Sequence, residues 1–169
     1  REVVVKHMME DLEFAAAYIR EDKVAGNFKE RVTQGAALTL LARIALHEGT
    51  FRKYHEELNL QATADEFLKR AVSASQEVIN SGKYKIHNTG AKEVDFRTLF
   101  SSNNLSSNTE AIFIQKNDRS LGIANNSHTV LDWQWALSGE LMEEFLTADG
   151  KSFTSTPDYK TKTFTQIFQ

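Results

Sequence analysis

Gly35-Ala36-Ala37-Leu38-Thr39-Leu40-Leu41-Ala42-Arg43-Ile44-Ala45-Leu46-His47-Glu48-Gly49 is the stretch on which the fold turns. Ala36, Ala37, Leu40, Leu41, Ile44 and Ala45 recur at gaps of one, three and four, the spacing of a helix with one apolar stripe, and Gly49 supplies a left-handed stop. Downstream, Phe67, Leu68, Ala71, Val72, Val78 and Ile79 repeat the pattern. Thr63 stands where an N-cap is needed, Glu66 three residues on completes a capping box, and Gly82 closes the helix. Upstream, Val5, Met8, Leu12, Ala15 and Ile19 predict a first helix over roughly 3–22, broken at Gly26-Asn27. The small residues Gly35, Ala36, Ala37, Ala42, Ala45, Ala71 and Ala74 let helix axes approach closely while Leu and Phe fill the space between. The first half therefore reads as closely packed helical hairpins.

The texture changes after Tyr84. Phe96, Leu99 and Phe100 form a short apolar knot, 101–109 is almost entirely Ser, Asn and Thr, and Ala111-Ile112-Phe113-Ile114 has the composition of a short buried strand. The stretch 117–129 is polar again. Trp133 and Trp135 follow on either side of Gln134, and an extended backbone there points both indoles one way. Ser138 is placed to cap a short helix holding Leu141, Met142 and Phe145, which ends before an Asp149-Gly150 turn. The organisation expected is a helical region over 1–85 and a loop-rich region over 86–169, both parts of one incomplete domain.

Both ends read as cut. Helical spacing is already running at Val5 without a capping residue before it, and 161–169 sets Phe164, Ile167 and Phe168 among Thr without a terminator. The chain is expected to be an excerpt from a longer protein.

Composition narrows the function. Twenty Lys and Arg stand against 23 Asp and Glu, a net charge of −3 with the signs interspersed, so no broad basic face exists to neutralise a phosphate backbone. The absence of Cys removes disulfides, thiolate zinc sites and a thiol nucleophile. No glycine-rich phosphate loop, nucleophile elbow, HExxH or calcium-loop spacing occurs. The five histidines, His7, His47, His55, His87 and His128, are never three or four apart, so no helical metal pair exists and they read as structural or solvent-exposed. Glu56-Glu57 and Glu143-Glu144 are adjacent, which on a helix splays them by about 100° into solvent. No metal, cofactor or catalytic group is expected.

Trp133 and Trp135 carry two readings. One is a hydrophobic anchor for the loops. The other is a stacking platform for sugar rings, whose C–H faces lie flat on an indole while Asn125, Asn126, Ser127, His128, Asp132 and Gln134 offer partners to the hydroxyl rim. The candidate glycan-binding residues are Trp133, Trp135, Asn125, Asn126 and His128.

Residues 35–82 resemble one tetratricopeptide-type helical pair with a stretched connection over 50–62, and the first helix, roughly 3–22, would be the second member of a preceding pair. As an array the pattern is irregular: Ala16 and Ala71 are 55 residues apart, beyond the regular period of about 34. More of the chain is similar to the SusD/RagB-type outer-membrane glycan-binding lipoproteins of Bacteroidetes. The resemblance rests on Asp11-Leu12-Glu13 with Ala16, on Gly35-Ala36-Ala37-Leu38 through Leu41-Ala42-Arg43-Ile44-Ala45-Leu46 to Gly49, and on Ala71 through Val78-Ile79-Asn80-Ser81-Gly82-Lys83-Tyr84. It continues through Leu99-Phe100, the Ser/Asn-rich loop, Glu110-Ala111-Ile112-Phe113-Ile114 and Asp149-Gly150. It implies a mostly α, SusD-like fold: tetratricopeptide-like hairpins packed on a loop-rich region with short strands. It also implies a non-catalytic, surface-exposed lipoprotein of the outer membrane, anchored through an N-terminal lipid outside this chain. Such a protein delivers oligosaccharide to a SusC-like TonB-dependent transporter, with the exposed sides of 3–22 and 35–82 facing that partner. The rival expectation is a helical-repeat scaffold that binds only a protein.

Overall fold

A computed structural model describes residues 1–19, 28–115, 120, 122, 132, 138–163 and 166. The chain divides into two compact units, Arg1–Lys116 and Asn117–Gln169. The structure is mostly helical, and among the described residues there is no strand, only an isolated bridge between Leu146 and Ser152.

In the first unit, α1 (Glu2–Tyr18), α2 (Gln34–Tyr54) and α3 (Ala64–Asn80) pack in sequence, α2 against both neighbours. The core is built largely from small side chains: Ala16 of α1, Ala37, Leu38 and Leu41 of α2, and Ala74 of α3, with Met9, Leu12, Ala15, Ile19, Ala42 and Val78 packed around them. Leu41 is among the largest fully buried side chains. The expected stripe is thus rotated: Leu38 is inside, whereas Leu40 is 47% exposed and Val72 and Ile79 of α3 are 69% and 67% exposed.

The ends of the helices follow local chemistry. α1 stops at Tyr18, short of the expected residue 22, because Ile19 is extended and the side-chain amide of Gln34 donates to the Ala16 carbonyl at 2.9 Å. The Gly26-Asn27 break lies outside the described residues. Thr33 caps α2, its hydroxyl accepting from the Ala36 N–H at 3.1 Å.

Gly49 does not end α2, which runs a further turn to Tyr54. A Cβ at Gly49 would stand 2.8 Å from Leu68 side-chain carbons and 3.1 Å from the Ala64 carbonyl oxygen, so this glycine lets α2 and α3 approach closely here. Gly82 does close α3: its φ is +65°, and its N–H donates to the Ile79 carbonyl at 3.2 Å. The chain then returns, and a Cβ on Gly35 would lie 2.7 Å from Tyr84 ring carbons.

Thr63 precedes α3 as expected but its hydroxyl does not cap it. That oxygen donates to the Leu60 carbonyl at 2.8 Å and accepts from Arg52 Nη1 at 2.7 Å. Arg52 is the hub of a buried ionic cluster. Its Nε donates to Glu48 Oε1 at 2.8 Å and its Nη2 to Glu2 Oε1 at 2.7 Å, while Arg1 Nη2 reaches Glu48 Oε2 at 2.5 Å. The Arg52 and Glu48 side chains are each 3% exposed, and the guanidinium lies 4.4 Å from the Phe67 ring centroid.

The apolar knot at 96–100 is part of a helix, α4 (Lys92–Ser101). The strand expected at 111–114 does not form. Asn108 Oδ1 accepts from the N–H groups of Glu110 and Ala111, which turns the backbone, and the Ile114 N–H goes singly to the Lys29 carbonyl at 2.9 Å.

In the second unit, Ser138 caps α5 (Gly139–Glu143) as expected, accepting from the Leu141 N–H at 3.2 Å. The Asp149-Gly150 turn is also present, with Gly150 at φ +78° and its N–H donating to the Thr147 carbonyl at 2.8 Å. Thr156 caps α6 (Pro157–Thr161), and Tyr159 of α6 meets Phe153 edge-on at 5.6 Å between ring centroids.

Two stability outcomes follow. Gly49→Ala, which gains about 1 kcal/mol in an open helix interior, is expected here to cost about 1–3 kcal/mol in urea unfolding because Leu68 occupies the space; a raised midpoint would refute the close crossing. Arg52→Ala is expected to cost about 3 kcal/mol by leaving buried Glu48 Oε1 without its partner and Glu48 with only the Arg1 contact at Oε2, whereas Arg52→Met with Glu48→Leu recovers most of that loss.

Candidate functional site

The candidate glycan residues Trp133, Trp135, Asn125, Asn126 and His128 lie outside the described residues. Four of the five histidines are described. His7 Nδ1 lies 3.4 Å from Glu10 Oε2 on the exposed side of α1. His55 stacks on Phe51 at 4.2 Å and its Nδ1 meets Glu57 Oε1 at 2.7 Å, which holds the exposed Glu57 carboxyl below the usual carboxylate range. His47 is 6.1 Å from the Phe51 ring. No group of three or more His, Asp or Glu able to hold a metal occurs among the described residues.

The carboxylate pairs differ from each other. Glu56 and Glu57 are both exposed, as expected. Glu143 is not a wetted side chain: it is half-buried and accepts from the Tyr159 hydroxyl at 2.5 Å, a bond that raises the Tyr159 pKa, and only Glu144 points to solvent.

Two features of the first unit have the shape of sites. One is an apolar groove of about 640 Å³ along α2 and α3, where Leu46, Val72, Ile79 and Ile112 face Arg43 and Gln76. The buried Thr39 hydroxyl beside it has no hydrogen-bond partner among the described residues. No helix among the described residues is long and apolar enough to cross a membrane.

The other is a hollow of about 290 Å³ beside α4, between the loop after α3 and the turn at 108–111, with apolar walls from Ile86, Phe96 and Leu99 and a few polar groups. Its groups are fixed by backbone. Asp95 is 8% exposed, and its two carboxylate oxygens accept from the Thr89 N–H at 2.9 Å and the Thr89 hydroxyl at 2.6 Å. Glu110 Oε2 accepts from the His87 N–H at 2.7 Å. His87 Nε2 is buried, 3.8 Å from Asp95 Oδ1, without a hydrogen-bond partner among the described residues. Sequence reading missed this hollow. The available signal was the spacing of Phe96 and Phe100, four apart around Leu99, which is a helix pattern in a region otherwise read as loop.

The Thr89 hydroxyl and N–H hold the Asp95 carboxyl below its ordinary value. A depressed folded-state pKa contributes stability that is present above the unfolded value of about 3.9 and lost as pH falls through the folded one. In Thr89→Val the Asp95 carboxyl is therefore expected to titrate at higher pH by carbon-detected NMR, and Asp95→Asn to flatten acid unfolding in that range. An unmoved Asp95 titration in Thr89→Val would show that these bonds are not what holds the carboxylate.

Among known proteins, no family model, no curated protein and no solved structure matches this chain.

Proposed function

We propose that the chain is a non-catalytic, glycan-binding component of a bacterial cell-surface uptake complex, delivering oligosaccharide to a SusC-like TonB-dependent transporter. The fold behind this reading is tetratricopeptide-like hairpins of a SusD-like domain. The observation that carries it is the meeting in space of two sequence stretches behind the resemblance. Gly35 opens Gly35-Ala36-Ala37-Leu38, Tyr84 ends Asn80-Ser81-Gly82-Lys83-Tyr84, and the tyrosine ring occupies the space that a side chain on residue 35 would need. A packing constraint of this kind ties both stretches to one arrangement and supports reading their order as a fold signature.

Binding in this reading is multi-point. A well-placed aromatic face contributes about 0.5–1.5 kcal/mol and a hydrogen bond about 1 kcal/mol, whereas millimolar capture needs about 4 kcal/mol, so one indole falls short of it and several contacts, or closure against a transporter, must act together. Surface anchoring in the outer membrane through an N-terminal lipid belongs to the same proposal.

Titration of a broad oligosaccharide panel, followed by Trp fluorescence and calorimetry, is the direct experiment. At least one glycan is expected to bind and to lose about tenfold or more in the Trp133→Ala/Trp135→Ala double variant. A panel that produces neither heat nor fluorescence change would overturn the reading. The apolar groove with Leu46, Val72 and Ile79 exposed favours one second reading, a scaffold that binds only a protein. A scaffold would keep its partner in the same double variant and ignore every sugar.

A further inference from the structure

We infer that the hollow beside α4 is a subsite for one neutral pyranose ring, with Phe96 as its stacking face and Glu110 and Lys92 as hydrogen-bonding partners on its rim. This rests on the glycan-binding reading and draws on residues other than Trp133 and Trp135. Size sets the first limit. At about 290 Å³ the hollow is at the bottom of the range for small-molecule sites, suited to one sugar ring rather than an extended ligand.

The wall chemistry sets the second. Phe96 is 70% exposed and lies beside the similarly exposed Phe100 one turn on, with ring centroids 4.8 Å apart and planes tilted by 52°. An aromatic face presented to solvent at the edge of the hollow suits the C–H side of a pyranose. Around it the polar groups have spare capacity. Glu110 uses Oε2 for the His87 N–H and leaves Oε1 open, and the Asn88 side-chain oxygen accepts from the Gly90 N–H at 2.9 Å, leaving its amide nitrogen as a donor. Lys92 is exposed on the same rim and has no ion pair among the described residues.

Charge sets the third. Asp95 and Glu110 give the hollow two carboxylates against the single ammonium of Lys92. A sugar acid would bring a further negative charge to a site already short of cations, so neutral hexoses and N-acetylhexosamines fit and uronic acids do not. Asp95, tied up by Thr89, acts as a positioning residue that fixes the start of α4 and hence the Phe96 ring.

The test uses the whole chain, titrated with glucose, galactose, mannose, N-acetylglucosamine and glucuronate while amide NMR signals are followed. At least one neutral sugar is expected to shift the signals of residues 86–96 and 110, with glucuronate silent. Affinity should fall about tenfold in Phe96→Ala, fall in Phe96→Leu, which keeps the bulk but not the ring, and fall in Glu110→Gln. Circular dichroism of each variant checks that the fold is kept. Neutral sugars that leave these signals unmoved, or bind Phe96→Leu as tightly as the parent, overturn the subsite. If oligosaccharides still bind through Trp133 and Trp135 in that case, the glycan reading survives alone; if no sugar of any length binds, both fall together.

Discussion

The Arg52 guanidinium, buried to 3% exposure, is the constraint around which the first unit is arranged. A charge taken that far out of water costs several kcal/mol unless its donors are all used, and here they reach α1 through Glu2, its own helix through Glu48 and the turn before α3 through Thr63. Three segments far apart in sequence must therefore sit in one arrangement for the charge to be tolerated. Such a cluster contributes little net stability over an apolar substitute. What it adds is selectivity, because a helix that slid by one turn would strand an ion inside the protein.

That requirement explains why some sequence signals held and others failed. Local signals held where only the backbone of a few residues was involved: Gly82 at positive φ, Ser138 as a cap, Gly150 in its turn. Signals failed where a distant group competed for the same atom or space. Thr63 has the sequence of a capping box, yet Arg52, eleven residues earlier, takes its hydroxyl. Gly49 has the identity of a helix stop, yet Leu68 needs the gap that its missing side chain leaves. Neither competitor is visible in a local window, since each depends on how α2 crosses α3.

The apolar stripe shows the same limit at the level of a whole helix. Periodicity places Leu40 and Leu41 on one broad face and does not say which of the two looks inward; packing of Ala37, Leu38 and Ala74 selects Leu41 and turns Leu40 out. The exposed Leu46, Val72 and Ile79 are the remainder of a pattern wider than the core can use. On the site side, composition draws the eye to single residues and says nothing of geometry. Trp133 and Trp135 stood out by composition, whereas the hollow at His87, Asp95 and Glu110 comes from three segments whose residues are unremarkable singly.

A sugar site needs oriented partners more than numerous ones, since a weak stacking face gains only if its polar neighbours are already in place. In the proposed subsite the loop after α3 would supply such partners through the His87 and Thr89 N–H groups and the Thr89 hydroxyl. Thr89 fixes Asp95 through two hydrogen bonds, and Glu110 fixes the chain at His87 through one. The cost of ordering these groups is borne at folding, not at binding. The helical hairpins enter because they hold the start of this loop: Gly82 sets its direction and Tyr84 is lodged against Gly35, so motion of the loop is resisted by the same close packing that builds the core. In the subsite proposed at Phe96, ordered neighbours would let a weak stacking energy go into recognition, whereas a ring among unordered groups would spend it on ordering them.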